Sequence, residues 1–327
     1  MLNLRFFALK LKDLFVFGFL IFISVLLCVD KRYSVSILYG IELWAACVLP
    51  ALLPYLVISS LLSSLKITQV LSLKLSGFSK RFFNTNGLVF YAFILSVISG
   101  YPIGAKVVSD LRLKRLISQT EAVRASALCS TSSPTFLILS IGGITFNNTS
   151  FGALLFLCHI LSAIITGVIF SFYKREDKPT LISNPPNKNN EDVISNSIYN
   201  SVISVLVVGG TIALFYLLTD ILLNLNILTP LSNLLNLPIN NKPISDGLLI
   251  GLFECTRGVK TLATVEITKL TLPTTAFICG FGGLSVIIQS LTHLKKAKIK
   301  TAPFVISKLL CAVINFILGL ILSLIFF

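Results

Sequence analysis

The chain has 327 residues, of which 55% are apolar and 12% are charged, and its mean hydropathy is +0.91. A soluble protein usually carries about twice that charged fraction, so the composition excludes an ordinary soluble enzyme, a disordered chain and a nucleic-acid-binding protein. Seven cysteines are too few for a disulfide scaffold of this length. The net charge of +14 comes from 27 Lys and Arg residues against 13 Asp and Glu residues. In so apolar a chain, this excess indicates loops retained on the cytoplasmic side of a bilayer, and we expect a polytopic membrane protein.

Seven mostly apolar segments are predicted to span the membrane, for which a helix needs roughly 20 residues. The first follows three basic residues, as a secretory signal does. No small-residue cleavage site comes after it, so it is predicted to remain as an N-terminal helix. The third segment is polar in its centre. The seven predicted spans are Leu14–Val29, Ile37–Leu62, Val123–Phe146, Phe151–Tyr173, Ile198–Leu222, Leu272–Leu291 and Ala302–Phe327.

Two further apolar runs are too short to cross. Gly87–Ile98 leads into the sequence Ser-Gly-Tyr-Pro-Ile-Gly-Ala-Lys of residues 99–106, and Gly247–Phe253 leads into Glu-Cys-Thr-Arg-Gly of residues 254–258. Runs of about 10 residues are typical of re-entrant or broken segments, and Gly and Pro suit a chain that turns back. With both runs re-entrant, 20 of the 27 Lys and Arg residues fall in segments on the side of the N-terminus and 6 on the other. The positive-inside rule then places the N-terminus in the cytoplasm.

The elements after the first span recur in the same order in two sets. Each set has a long span, an amphipathic stretch (Leu65–Phe83 or Ile221–Leu237), a short run, a charged stretch and two further spans. Three crossings per set place the second set upside down relative to the first, as in many secondary transporters. The predicted fold is therefore an all-α polytopic membrane protein with two inverted repeats and broken helices. Its predicted parts are an N-terminal membrane helix (1–36), a first repeat (37–173), a cytoplasmic linker (174–196) and a second repeat (197–327).

Four polar clusters are predicted to lie at membrane depth. They are residues 99–106 and 129–134 in the first set, and residues 254–258 and 280–285 with Gln289 in the second. Unwound backbone is tolerated there where it is buried in protein or lines a wet cavity, and the helix that starts after a break exposes N–H groups that attract anions. Hydroxyl groups add neutral hydrogen bonds, and Lys106 and Arg257 are candidates to supply full charge, Arg through two parallel bonds to a carboxylate. The candidate substrate-binding residues are Ser99, Gly100, Tyr101, Pro102, Gly104, Lys106, Ser130, Thr131, Ser132, Ser133, Glu254, Thr256, Arg257, Gly282, Gly283, Ser285 and Gln289.

A structural explanation stays open for each of these residues. Ser and Thr in membrane helices often bond to the backbone or to a neighbouring helix, and the Lys106 side chain can extend to the cytoplasmic interface. Glu254 and Arg257 lie three residues apart and can pair on one helix face. Lys308 in the last span and both histidines are expected at the interface. The sequence has no metal-ligand spacing and no phosphate-binding Gly-Lys-Ser/Thr loop, so it indicates no metal, no cofactor and no enzyme activity.

One string of residues makes the chain resemble a known family. Residues 99–106, followed by Thr-Glu-Ala at 120–122, the break at 129–134, Gly-Leu-Phe-Glu at 251–254 and residues 280–285, resemble the YlbJ-type sporulation integral membrane proteins. These are two-repeat members of the nucleoside-recognition (Gate) domain family. The resemblance implies a protein made in the mother cell of an endospore-forming bacterium. It also implies a place in the outer forespore membrane, where such proteins help to move dipicolinic acid toward the forespore.

The hypothesis from the sequence is a transporter that moves a small carboxylate, dipicolinate, by alternating access between its two halves. Its expected partners are this anion and membrane lipids, without nucleic acid, and a homo-oligomer stays open. Within the transport class, the alternative is a nucleoside or nucleobase permease. Outside the transport class, the alternative is a non-transporting membrane partner of another complex.

Overall fold

The computed structural model describes residues 30–64, 67–177 and 193–326, with isolated helical positions between 13 and 28, and it describes the backbone alone for 63, 64 and 67–71. This part of the chain is helical and contains no strand. In chain order its elements are α1 (Lys31–Leu43), the π-helical π1 (Trp44–Val48), α2 (Leu49–Ser64), α3 (Ile67–Phe83), α4 (Gly87–Ser99), α5 (Ile103–Leu113), α6 (Gln119–Leu128), the π-helical π2 (Thr135–Thr145), α7 (Thr149–Phe170), α8 (Val193–Asn224), α9 (Leu228–Ile239), α10 (Lys242–Phe253), α11 (Cys255–Leu262), α12 (Thr271–Phe281), α13 (Gly283–Lys296) and α14 (Thr301–Phe326).

Five helical stretches in the described part are long and apolar enough to cross a membrane. They match five of the seven predicted spans and confirm the prediction of an all-α polytopic membrane protein. The predicted span Leu14–Val29 lies mostly outside the described residues, as does most of the predicted linker 174–196. The five stretches are Lys31–Leu62, Thr149–Phe170, Val193–Asn224, Thr271–Lys296 and Thr301–Phe326.

The prediction that Val123–Phe146 forms a span through the membrane is not reproduced as one helix. α6 ends at Leu128, residues 130–133 are non-helical, and π2 begins at Thr135. Consecutive hydroxyl side chains compete with the helix for backbone hydrogen bonds, and Pro134 has no N–H group to continue one. The polar centre of this segment is therefore a complete break.

The two short apolar runs end where the sequence predicts. α4 is bent by 90° from the second part of α3, so this pair is either a broken span or a re-entrant loop. α10 starts at Lys242, five residues before the predicted run, and ends at Phe253. The predicted amphipathic stretch Ile221–Leu237 is divided, because the chain turns through the left-handed conformation at Asn226 between α8 and α9.

The helices repeat in order and in approximate length. The long stretch Lys31–Leu62 corresponds to α8, and the helices α3 to α6 correspond in turn to α9 to α12. π2 and α7 then correspond to α13 and α14. This order agrees with the predicted duplication, while the inversion of one half and the domain boundaries stay predictions.

The two predicted halves share one apolar core. Buried side chains of α2, π2 and α7 form a single cluster with those of α8, α11 and α12. Between α1 and α8 the helices approach closely at glycines, because a Cβ atom on Gly40 would lie 2.7 Å from the Cα of Ala213. One on Gly209 would lie 2.6 Å from the indole ring of Trp44. The outer faces of α7, α8 and α14 carry exposed Leu, Ile and Val side chains, as lipid-facing surfaces do.

The side chain of Arg124 connects α6 to two other segments by hydrogen bonds. It is 1% exposed, and its guanidinium donates to the carbonyl oxygens of Tyr173 and Lys174 after α7 and of Asn84 between α3 and α4, at 2.6–3.0 Å. Glu121, one turn earlier, is also buried and accepts hydrogen bonds from two backbone N–H groups. Glu254 is therefore one of two buried carboxylates in the described part, and Glu121 has a structural role.

Candidate functional site

The four predicted polar clusters meet in space. A Cβ atom on Gly104 would lie 1.6 Å from the carbonyl oxygen of Cys129, so α5 lies directly against the break at residues 130–133. A Cβ atom on Gly283 would lie 3.1 Å from the backbone nitrogen that starts α11. Tyr101 joins these two pairs, because its hydroxyl donates to the carbonyl oxygen of Cys279 in α12, at 3.1 Å. The breaks of both halves thus form one contact region.

The break at residues 130–133 is held from two sides. The backbone N–H of Ser132 donates to Nε2 of His159 at 2.8 Å, and Nδ1 of this ring lies 3.3 Å from the side-chain nitrogen of Asn315 in α14. The hydroxyl of Thr131 lies 2.6 Å from that of Ser96 in α4. His159 is fully buried, so the expectation that it lies at the interface is wrong.

Glu254 separates α10 from α11. Its side chain is buried, and its carboxylate caps α11 by accepting the backbone N–H of Arg257 at 2.6 Å. A carboxylate at a helix start is stabilised by the partial positive charge there. At the fourth cluster, Gly282 and Gly283 have φ angles of +82° and +76°, which side chains with a Cβ rarely adopt. These two glycines let α12 pass directly into α13.

A small cavity of about 40 Å³ lies where these segments meet. Water-sized spaces need roughly 10–15 Å³, so this conformation has room for water and not for a ring-containing solute. Polar and apolar side chains from both halves share its wall, a mixture typical of small-molecule sites. Its lining residues are Val48, Leu52, Gly100, Tyr101, Ser132, Ser133, Phe136, Val208, Ile212, Glu254, Cys255, Thr256, Val286 and Gln289.

Comparison with known proteins gives one informative match. The chain is 27% identical to the sporulation integral membrane protein YlbJ of Bacillus subtilis (strain 168) in an alignment 330 positions long, gaps included, which covers 92% of this chain and 80% of that protein. This similarity supports a YlbJ-type family assignment. No family model matches the chain, and no solved structure does. Membership of the Gate domain family therefore stays a prediction.

In this chain, seven of the seventeen candidate residues line the cavity, and they come from all four clusters. Ser99, Ser130 and Ser285 are buried, and each lies within two residues of a lining residue in the chain. Their hydroxyl oxygens have no hydrogen-bond partner among the described residues. Gly104, Gly282 and Gly283 lie where one break packs against another. The hydroxyl of Thr131 contacts that of Ser96, and Pro102 is buried. The seven lining candidates are Gly100, Tyr101, Ser132, Ser133, Glu254, Thr256 and Gln289.

Lys106 and Arg257, the two candidate cations, do not line the cavity. The ammonium of Lys106 lies 3.4 Å from the hydroxyl of Ser204 in α8. The guanidinium of Arg257 pairs with Asp220, donates to the carbonyl oxygen of Tyr216 at 2.9 Å, and lies 3.9 Å from the centre of that tyrosine ring. The alternative left open by the sequence, in which the Glu254 and Arg257 side chains pair with each other, is not found, because Glu254 accepts the backbone N–H of Arg257 and Asp220 binds its guanidinium.

We expect the Arg257–Asp220 pair to stabilise the contact between α11 and α8. Arg257→Ala should lower the free energy of unfolding by about 2–4 kcal/mol, because it leaves a partly buried carboxylate unpaired. Asp220→Ala should also destabilise, and the double variant should lose less than the sum of both, with a coupling of about 1–3 kcal/mol. Thermal unfolding of the purified variants measures this.

The matched control is Lys260→Ala, which removes an exposed cation from the same helix. If Arg257 instead binds the substrate, its removal should weaken substrate binding rather than lower the unfolding temperature. If Arg257→Ala weakens substrate binding without lowering the unfolding temperature, the structural assignment of this pair is incorrect.

Sequence reasoning missed the cation that does lie beside the site. Lys308 in α14 is 1% exposed, its Nζ has no hydrogen-bond partner in the described part, and it lies 5.0 Å from the centre of the Tyr101 ring. The expectation that it extends to the interface is wrong. The available signal was its place within an apolar span, where ionisable residues are costly and usually functional.

Proposed function

We propose that the chain transports a small carboxylate, dipicolinate, across the membrane by alternating access between its two halves. The observation that carries this proposal is the meeting of four interrupted helical segments at one cavity lined from both halves. Interrupted helices that meet at a polar site are the common build of secondary transporters, and rocking of one half against the other then exposes the site to each side in turn.

The site chemistry favours an anion. The first residues of α11 line the cavity, as do residues just before α5 and π2, and helix starts carry partial positive charge. The hydroxyl of Ser132 and the side-chain amide of Gln289 line the cavity without a hydrogen-bond partner among the described residues, so they are available for neutral hydrogen bonds. Glu254 carries a carboxyl group, which accepts the backbone N–H of Arg257 at the start of α11, and the partial positive charge there offsets part of any negative charge on it.

The identity of the substrate and the membrane comes from the family. The relative is named for sporulation, and the resemblance of residues 99–106 to the YlbJ-type proteins implies dipicolinate and the outer forespore membrane. Dipicolinate is a planar aromatic dianion, and Tyr101 and Phe136 supply aromatic wall to the cavity. Because the cavity has about 40 Å³ in this conformation, the proposal requires the halves to move apart before the substrate enters.

The test is uptake of labelled dipicolinate into liposomes that contain the purified chain alone. We expect saturable uptake faster than in protein-free liposomes. The variant Ile212→Trp adds bulk to the cavity wall from α8 and should remove most of this uptake. Its matched control, Leu214→Trp, places the same ring on the same helix where the side chain is 63% exposed, and should transport normally.

Other results decide against the proposal. Uptake of uridine that dipicolinate does not compete with would favour a nucleoside permease. Uptake no faster than in protein-free liposomes would contradict unaided transport and favour a non-transporting partner of another complex. Equal transport by the two tryptophan variants would show that the substrate does not pass through the cavity.

A further inference from the structure

Lys308 is a buried cation without a matching charge. Its side-chain nitrogen is shielded from solvent and donates to no hydrogen-bond partner among the described residues. The ion pairs in the same part of the chain are Arg32–Asp30, Lys242–Asp246 and Arg257–Asp220, so none includes it. An unpaired ammonium in an apolar interior is strongly unfavourable.

The surroundings of Lys308 compensate only part of the free-energy cost of burying an unpaired ammonium. The Tyr101 ring lies 5.0 Å from its ammonium, and a cation–π contact is weaker than the penalty for burying an ion. The titratable groups that interact with it electrostatically are the thiols of Cys255, Cys279 and Cys311 and the imidazole of His159, and none of these is a carboxylate. A negative charge from outside the chain would complete the pair.

Two neighbours of Lys308 lie in the wall of the cavity. Tyr101 contacts Lys308 and also lines the cavity. Cys255, another neighbour of Lys308, lines the same cavity. On the cavity wall, both amide atoms of Gln289 lack a hydrogen-bond partner within the described residues. One full positive charge and one amide are therefore unsatisfied around a single space.

We propose that Lys308 binds a carboxylate of the transported aromatic acid, and that Tyr101 covers Lys308 while the site is empty. This deepens the proposed function and rests on it. The ammonium offers three donors to a carboxylate, and charge-assisted bonds of this kind are the strong ones. Gln289 then bonds to a neutral part of the ligand. For the carboxylate to reach Lys308, the Tyr101 ring moves aside and its hydrogen bond to Cys279 breaks.

The experiment compares two lysine-to-methionine variants of the full chain. Lys308→Met removes the buried charge, and Lys296→Met removes an exposed one from α13 as the control. Two ligands are used, dipicolinate and its uncharged diamide, which has the same ring without the carboxylates. Binding is measured by thermal stabilisation of the purified protein, which follows ligand affinity, and transport is measured in liposomes.

In the ligand-free protein, Lys308→Met should unfold at the same or a higher temperature, because it removes an unpaired charge. Its affinity for dipicolinate should fall by at least about tenfold, while its affinity for the diamide should not fall. Lys308→Arg should recover part of the preference for dipicolinate, and Lys296→Met should bind both ligands as the unmodified protein does. A purely structural lysine would not change the preference between these two ligands.

Three outcomes would overturn the inference. The first is unchanged dipicolinate affinity in Lys308→Met. The second is an equal loss of affinity for both ligands. The third is failure of both Lys308→Met and Lys308→Gln to fold, since Lys308 would then stabilise the empty protein. Absence of transport by the unmodified chain is a separate result, because it contradicts the proposed function while dipicolinate binding still tests Lys308.

Discussion

Replacing Gly104 with alanine should have the largest effect of any single methyl group added to this chain. The new Cβ atom would lie 1.6 Å from the carbonyl oxygen of Cys129 and 2.8 Å from the Cβ of Ser96. Neither atom is at the end of a flexible side chain, so α5 and the break at residues 130–133 must separate. Overpacking usually costs about 1–3 kcal/mol, and we expect the upper end of this range with loss of transport.

The control for Gly104→Ala is Gly210→Ala. Gly210 lies inside α8, and a Cβ atom there would meet no atom within 4 Å. Alanine in a helix interior is favoured over glycine by roughly 0.5–1 kcal/mol, so this variant should be slightly more stable. Thermal unfolding and liposome uptake of both variants test the contact. If Gly104→Ala unfolds at the same temperature as Gly210→Ala, the close approach of α5 to the break is incorrect.

Replacing Arg124 with alanine should destabilise the whole fold. The buried guanidinium donates to the carbonyl oxygens of Asn84, Tyr173 and Lys174, and its removal deletes these hydrogen bonds. Each lost bond to a charged group is worth about 1.5–3 kcal/mol. Because the effects are not additive, we expect a total loss of about 3–5 kcal/mol. Thermal unfolding of the purified variant and its level in membranes measure this loss.

Two further variants make the Arg124 result specific. Arg124→Lys keeps the charge, but a single ammonium does not reproduce the planar fork of donors. The stability of this variant should therefore lie between those of the unmodified protein and Arg124→Ala. Arg81→Ala removes an exposed arginine from α3 and should change stability by less than about 0.5 kcal/mol. Equal stability of Arg124→Ala and Arg81→Ala would show that the bonds around Arg124 do not hold the fold.

The sequence predicts the architecture well because apolar length is a direct physical requirement of a membrane. Five spans and the ends of both short runs follow from it. The breaks follow from Gly, Pro and hydroxyl residues, whose effects on the backbone are local. The complete interruption at residues 130–133 is less predictable, because the apolar residues on both sides are enough in number for one helix.

The partners of charged residues could not be predicted, because they depend on packing between distant segments. Spacing suggests Glu254 for Arg257, but Asp220, which is 37 residues away, binds the guanidinium. Lys308 has the length to reach an interface, but its side chain is buried and lies against the Tyr101 ring. His159 lacks a nearby ligand in sequence, although it accepts the N–H of Ser132. The positions of Lys308 and His159 depend on contacts between the two predicted halves, and that of Arg257 depends on a contact within the second half.

The close approach of α1 and α8 also gives the protein an intrinsic optical probe. The chain has a single tryptophan, and Trp44 lies against Gly209, next to Val208 in the cavity wall. It belongs to π1, whose last residue, Val48, lines the same cavity. The fluorescence of the unmodified protein therefore comes from one indole at the contact between the two halves, and its emission reports directly on their separation without any attached label.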